Sequence, residues 1–376
     1  MLKNRFYYLT FFLLFLFSIK GIAQNYNFTI DSLDGNQNYL CSIELSPDQK
    51  TLAISTGKDH ILFYDVASKK IIRKTETQGF RWGSYMRWSA DGNYLLLIQQ
   101  YYTDWAMNKD LPSKVAVMDA GAGNILYVKN YVNTACFTPD SRFLAVLDKG
   151  TITFYDIWSG YETKKFSPAD AAFSFAFADG GKKIAVAQFA KEDDLKNIPS
   201  IRNDKKAIKE AIKFRQVVKF YDAETFKLLY MADDIFDIVF AMRLSDDGRS
   251  LFLFNAPNIR LRLNSGARRN GYLQVADPLT GKVSRTTYAT NAAEPVFKES
   301  RFGNYFAAAS VEQRIATINT VQVFNRETGD LLKIFKNDFR ILENTHIGRA
   351  SFEFLPDGET MAIGYGNKLV FWKFLE

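Results

Sequence analysis

One short turn sequence recurs seven times in this 376-residue chain, and the repeat constrains the fold more than any other feature. A proline at the first corner, an aspartate that accepts hydrogen bonds from its own backbone and a glycine at positive φ suit a tight turn. Such regular recurrence indicates a repeat architecture. The copies read SPDQK (46–50), SADGN (89–93), TPDSR (138–142), FADGGKK (177–183), SDDGR (245–249), SRFGN (300–304) and LPDGE (355–359).

Short runs of β-branched and aromatic residues surround each turn, and they predict four strands per unit. One run precedes the turn, as in LCSIEL, and a second follows it, as in TLAIS. A third ends in Tyr-Asp in LFYDV (62–66), TFYDI (153–157) and KFYDA (219–223). We interpret the repeated aspartate as a residue that caps the turn into a fourth strand, and not as part of one shared site.

Seven four-stranded units predict an all-β, seven-bladed β-propeller of antiparallel blades. The last unit ends with its third strand, at NKLVFWKFLE (367–376), so its fourth strand is missing at the C-terminus. An additional strand, NYNFTIDSL (25–33), precedes the first unit. We expect this N-terminal strand to complete the last blade and close the ring, which removes an exposed sheet edge.

On these motifs the chain resembles the divergent WD-repeat and YVTN-like β-propeller superfamily, over nearly all of its length after residue 23. The third strand ends in Tyr-Asp where WD-repeat units carry Trp-Asp, and the Gly-His pair that often opens such units is absent. The resemblance implies a propeller fold, in a bacterial and exported version, and it is not specific for function.

The spacing between the turn and the end of the third strand reveals insertions. The distance from the third residue of the turn to the end of the third strand is 16 or 17 residues in units one, three and seven. It is 28, 43, 30 and 23 residues in units two, four, five and six. The insertions fall between the second and third strands, at about 99–114, 189–215, 255–270 and 311–320. These connections emerge on one face of a propeller, and insertions gathered on one face often mark the binding face.

The candidate binding residues lie in these insertions and in the connection into unit two. The second unit offers aromatic groups for stacking on a sugar or anchoring a protein, the fourth a lysine-bearing helix over 204–215, and the fifth arginines suited to carboxylate or phosphate. The candidate binding residues are Arg81, Trp82, Tyr101, Tyr102, Trp105, Lys205, Lys209, Lys213, Arg260, Arg262, Arg268 and Arg269. The alternatives are structural: packed loop aromatics, a solvated lysine face on a helix held against the ring, and an extended hairpin in unit five.

The N-terminus predicts export. Lys3 and Arg5 precede a 14-residue apolar run (6–19), and Gly21 and Ala23 are the small residues that a signal peptidase reads. The run is shorter than the about 20 residues of a spanning helix. We expect cleavage after Ala23, a single propeller domain over 24–376, no lipobox because no cysteine lies near the site, and a periplasmic or secreted protein with no later membrane span.

Charge and composition argue against several functions. After cleavage the chain carries 45 basic and 41 acidic residues, a balance too mild for a nucleic-acid-binding protein. Neither His60 nor His346 lies beside a marked nucleophile, and no Cys/His group has metal-ligand spacing, so we predict no catalytic residues, no metal and no cofactor. Cys41 and Cys136 are predicted to be unpaired core residues.

The leading hypothesis is therefore a protein-binding or assembly scaffold that uses the insertion-bearing face. One alternative is binding of a glycan or peptidoglycan fragment through the aromatic cluster at 101–105. A second, ranked below it, is a propeller hydrolase or lactonase-type enzyme whose active site is formed in the central channel, where the innermost strands converge.

Overall fold

The computed structural model describes residues 28–32, 40–56, 60–77, 79–80, 85–99, 102–104, 109–111, 113–213, 216–245, 248–256, 272–288, 296–313, 317–336, 351–365 and 368–375. These residues form a seven-bladed β-propeller of four-stranded antiparallel blades, which confirms the predicted fold class. The segment predicted to be a signal peptide lies outside the described residues.

Strand order along the chain sets the order of the blades. Blade one contains β2 (Leu40–Leu45), β3 (Thr51–Thr56), β4 (His60–Asp65) and β5 (Lys70–Glu76). Blade two contains β6 (Tyr85–Trp88), β7 (Tyr94–Gln99), β10 (Lys114–Asp119) and β11 (Ile125–Asn130). Blade three contains β12 (Thr134–Phe137), β13 (Phe143–Asp148), β14 (Thr151–Asp156) and β15 (Glu162–Phe166). Blade four contains β16 (Ala172–Ala178), β17 (Lys183–Phe189), β18 (Gln216–Asp222) and β19 (Leu228–Met231).

The remaining blades repeat the pattern. Blade five contains β20 (Ile238–Leu244), β21 (Leu251–Ala256), β22 (Tyr272–Ala276) and β23 (Val283–Tyr288). Blade six contains β24 (Val296–Glu299), β25 (Tyr305–Gln313), β26 (Thr317–Asn325) and β27 (Leu331–Lys336). Blade seven contains β28 (Ser351–Phe354), β29 (Thr360–Tyr365), β30 (Lys368–Lys373) and the N-terminal strand β1 (Phe28–Ser32).

The two ends of the chain close the ring as predicted. Strand β1 pairs antiparallel with β30, with Phe28 opposite Trp372 and Ser32 opposite Lys368. Blade seven thereby gains the outer strand that the C-terminus lacks, and β30 is no longer a sheet edge.

Packing explains the composition of the strands. Among the described residues, the buried apolar side chains form seven clusters that each join two neighbouring blades, and one further cluster packs the blade-four insertion against its own and the following blade. Middle strands such as β4 are covered on both faces and are apolar almost throughout, whereas the outer strand β5 alternates between exposed and half-buried residues. The apolar runs read from the sequence are therefore the inter-blade cores.

The repeated aspartates serve as turn caps in the structure. A carboxylate oxygen of Asp156 accepts hydrogen bonds from the Ser159 backbone N–H and hydroxyl, both at 2.8 Å, and Asp222 does the same with Thr225 at 2.7 and 2.8 Å. These bonds lower the pKa of both carboxyls. The residues are on separate blades, so they form no shared site.

Candidate functional site

One position of the innermost strands forms a ring of side chains around the central channel. The first strand of each blade is the inner one, because the first strands of neighbouring blades contact each other, as β2 does with β6 and β28. Hairpin pairing with the second strand defines the equivalent position in all seven blades. It lies two residues before the turn sequence in six blades and directly before it in blade four. We call these residues the channel ring: Glu44, Arg87, Cys136, Ala176, Arg243, Lys298 and Glu353.

Buried ion pairs occupy one side of the channel ring. The Lys298 side chain is 5% exposed, and its Nζ lies 2.8 Å from Glu44 Oε1 and 2.9 Å from Glu353 Oε2. It also donates a 2.6 Å hydrogen bond to the Ile43 carbonyl. One lysine thus joins the inner strands of blades six, seven and one.

Hydrogen bonds extend this contact to neighbouring strands. Glu353 Oε2 accepts a hydrogen bond from the Leu45 N–H at 3.2 Å, and the Trp88 indole N–H donates to the Glu44 carbonyl at 3.2 Å. The charges are taken out of water, but they are paired and hydrogen-bonded, which is the condition for tolerating a buried ion pair.

The other side of the channel ring carries two arginines and a thiol. Arg87 is exposed and Arg243 is half-buried. Surrounding protein nevertheless lowers the pKa of Arg87 by desolvation, and the charge of Arg243 lowers it further. Burial raises the pKa of the Cys136 thiol to about 12, and Arg87 partly opposes this effect. Cys136 was predicted to be a core residue; it is half-buried on β12 and unpaired.

The blade-four insertion is a folded unit between β17 and β18. It contains two helices, α1 (Glu192–Lys196) and α2 (Lys205–Ala211). The predicted helix over 204–215 is shorter in the structure, and Asp204 caps it by accepting hydrogen bonds from the N–H groups of Lys206 and Ala207. Ala207, Ile208 and Ala211 are buried, as the apolar face predicted, but Ile212 is 39% exposed.

The structure places only some of the predicted binding residues. Lys205, Lys209 and Lys213 are exposed on and directly after α2. Tyr102 lies on β8 (Tyr102–Asp104), which pairs with β9 (Lys109–Leu111). The others lie outside the described residues: Arg81, Trp82, Tyr101, Trp105, Arg260, Arg262, Arg268 and Arg269.

A groove of about 710 Å³ lies between blades one and two, on the face of the repeated turns. Its polar groups are already paired: Arg73 stacks on the Phe63 ring at 3.8 Å and donates to the carbonyls of Ala120 and Gly121. Asp48 accepts a 2.5 Å bond from the Ser46 hydroxyl. The groove is therefore stabilised from within, and its residues do not converge on an open centre.

Within the described ranges, no three His, Cys, Asp or Glu side chains are close enough together to hold a metal ion, and no helix is long and apolar enough to cross a membrane. His60 is a buried residue of β4, and His346 lies outside the described residues.

Comparison with known proteins identifies the fold. No family model and no curated protein matches the sequence. Among solved structures, the β-propeller domain of Cps50 (Swd1) from Myceliophteria thermophila is similar, with a TM-score of 0.61 and 14% identity over 92% of this chain and 99% of that one. In fold, this chain is a WD-repeat-like propeller. Because 1569 chains of known structure match it, the likeness selects no function.

Sequence reasoning missed the channel ring as a set. Six members sit two residues before a recognisable turn, so aligning the units on that turn would have revealed Glu44, Arg87, Cys136, Arg243, Lys298 and Glu353 as one column. In unit four the turn sequence is shifted by one residue, and only the strand pairing identifies Ala176. The pattern that predicts these strands does not indicate which of their residues line the channel, so it did not group these side chains.

Proposed function

We propose that this protein is an exported scaffold that binds an acidic protein partner through its insertion-bearing face, with α2 as a principal contact. The propeller fold is consistent with a protein-binding scaffold in general. The N-terminal segment 1–23 supports export to the periplasm or beyond. We assign the binding to this face because the blade-four insertion is firmly packed and presents a row of lysines there.

This insertion is held firmly on the ring. Its apolar residues form a cluster with Val217 of the third strand and Phe236 of the next blade connection. Asp194 of α1 lies 2.9 Å from Nζ of Lys219, a lysine of β18 whose side chain is 9% exposed. A segment fixed by both packing and a shielded ion pair presents its surface residues with little loss of entropy on binding.

The surface that it presents is positive and unpaired. Lys205, Lys209 and Lys213 follow one another at intervals of four residues, about 6 Å along a helix. Within the described residues none of these three forms an ion pair, whereas Lys191 and Lys196 at the base of the insertion are each 2.8–2.9 Å from a carboxylate. A row of unpaired lysines favours an acidic partner and accelerates its association.

A charge-removal experiment tests the proposal. Residues 24–376 serve as bait for proteins in envelope extract. A second bait carries Lys205→Gln/Lys209→Gln/Lys213→Gln, which removes the lysines of the α2 surface. A control bait carries Lys70→Gln/Lys74→Gln/Lys333→Gln, which removes three exposed lysines of the outer strands. We expect partners that the wild type and the control retain and that the α2 variant loses, with captured partners that are acidic and released by salt.

Two results would contradict the proposal. Equal capture by all three baits would exclude the lysines of α2 from binding. Loss of capture in the control as well would show that overall charge, and not this face, holds the partner.

A further inference from the structure

The side chains of the channel ring point toward the axis of the propeller. Lys298 of blade six contacts both Glu353 of blade seven and Glu44 of blade one, at 2.9 and 2.8 Å. Three blades can meet in this way only if the equivalent side chains converge on the axis. The same register places Arg87 of blade two and Arg243 of blade five at this level.

The charges of the channel ring do not balance. It contains three cations and two carboxylates, and both carboxylates contact Lys298. Within the described residues, Arg87 makes no hydrogen bond and no ion pair. Blades two and five are three apart in a ring of seven, so Arg87 and Arg243 face each other across the channel.

The surroundings of Arg87 make this arrangement costly. The guanidinium is open to water, yet desolvation and the like charge of Arg243 lower its pKa, and the charge of Glu44 opposes them only in part. A cation in a confined space whose counter-charge compensates it only in part is destabilised, and a bound anion reduces that cost. A guanidinium also presents a planar fork of donors that matches two oxygens of a carboxylate or phosphate.

We propose that the channel binds an oxyanion, a carboxylate or phosphate group, between Arg87 and Arg243. The Arg87 guanidinium donates to its oxygens, and Arg243 contributes charge from the opposite wall. The group is supplied by a small free anion or by an acidic side chain of a peptide that enters the channel. This site is separate from the lysines of α2 and does not depend on a partner binding there.

Calorimetric titration of residues 24–376 tests the site with three probes: inorganic phosphate, citrate and a hexaglutamate peptide, at constant ionic strength. The variants are Arg87→Gln and, as a matched control, Arg202→Gln, which removes an exposed arginine of the blade-four insertion. We expect one equivalent of at least one probe to bind wild type and control. We expect Arg87→Gln to bind it at least about tenfold more weakly, because a charge-assisted hydrogen bond is worth about 1.5–3 kcal/mol.

Cys136 reports where the probe binds. The bound anion should slow the reaction of this thiol with a neutral reagent such as methyl methanethiosulfonate, since it fills the channel and neutralises Arg87. Mass spectrometry of the digest separates Cys136 from Cys41. Without added probe, Arg87→Gln should melt at the same temperature as wild type or higher, because a repulsion is removed.

The outcomes decide the proposal and the source of the anion. Binding of phosphate or citrate identifies a free anion, and binding of hexaglutamate alone identifies a peptide side chain. The proposal is overturned if no probe binds, if Arg87→Gln binds as wild type does, if Cys136 is not protected, or if Arg87→Gln is markedly less stable without any probe.

Discussion

Replacing Lys298 by methionine tests whether its buried ion pairs hold the ring together. Methionine fills much of the same volume but removes the charge that contacts Glu44 at 2.8 Å and Glu353 at 2.9 Å, and the donor to the Ile43 carbonyl at 2.6 Å. The side chain is 5% exposed, so water cannot take over these contacts. Removing one partner of a buried pair costs about 3–5 kcal/mol, because the remaining charge is left uncompensated.

Urea unfolding of residues 24–376 measures this loss. With an m-value of about 3 kcal/mol per M, the midpoint should fall by about 1–1.7 M. Tryptophan fluorescence is a suitable signal, since the Trp88 indole N–H is bonded to the Glu44 carbonyl beside the ion pairs.

A matched surface variant and a compensated variant sharpen the test. Lys196 also contacts two carboxylates, at 2.8 and 3.7 Å, but it is 52% exposed, so Lys196→Met should cost less than about 1 kcal/mol. Lys298→Met combined with Glu44→Gln and Glu353→Gln removes the stranded charges and should recover most of the stability. The reasoning is refuted if Lys298→Met is as mild as Lys196→Met, or if the triple variant is no more stable than Lys298→Met.

Two further predictions concern the turns and the insertion. Backbone hydrogen bonds in their turns lower the pKa values of Asp156 and Asp222, so these carboxylates stabilise the fold fully above the unfolded pKa near 3.8 and lose this effect as pH falls through the lower folded pKa values. The melting temperature of Asp156→Asn/Asp222→Asn should therefore depend less on pH below about 4 than that of wild type. An unchanged dependence on pH would exclude a stabilising role for these caps. Asp194→Asn should weaken the contact with Lys219 and speed tryptic cleavage within 191–213. Asp193→Asn should leave the cleavage rate unchanged, because the Asp193 side chain is 93% exposed. Equal cleavage of both variants would show that packing alone fixes the insertion.

Much of the fold was readable because its signals are local. The turns, the apolar strands and the capping aspartates each lie within a few residues, and the missing fourth strand of the last unit predicted the pairing of β1 with β30. The helix of the blade-four insertion was also predictable from its cap and apolar face. Its end was predicted too late, at residue 215, because the helical pattern continues past Ala211, where the helix ends.

The candidate site was less predictable, because its residues are brought together only by ring closure. By itself the sequence determined the number of blades, the position of the insertions and the lysines that one of them presents, since each depends on short-range pattern. Only the tertiary structure decided that Lys298 Nζ meets the carbonyl of Ile43, 255 residues away, and that Arg87 and Arg243 face one channel. The physical reason is that a side chain's charge environment depends on its neighbours in space, and in a closed ring those neighbours come from distant blades.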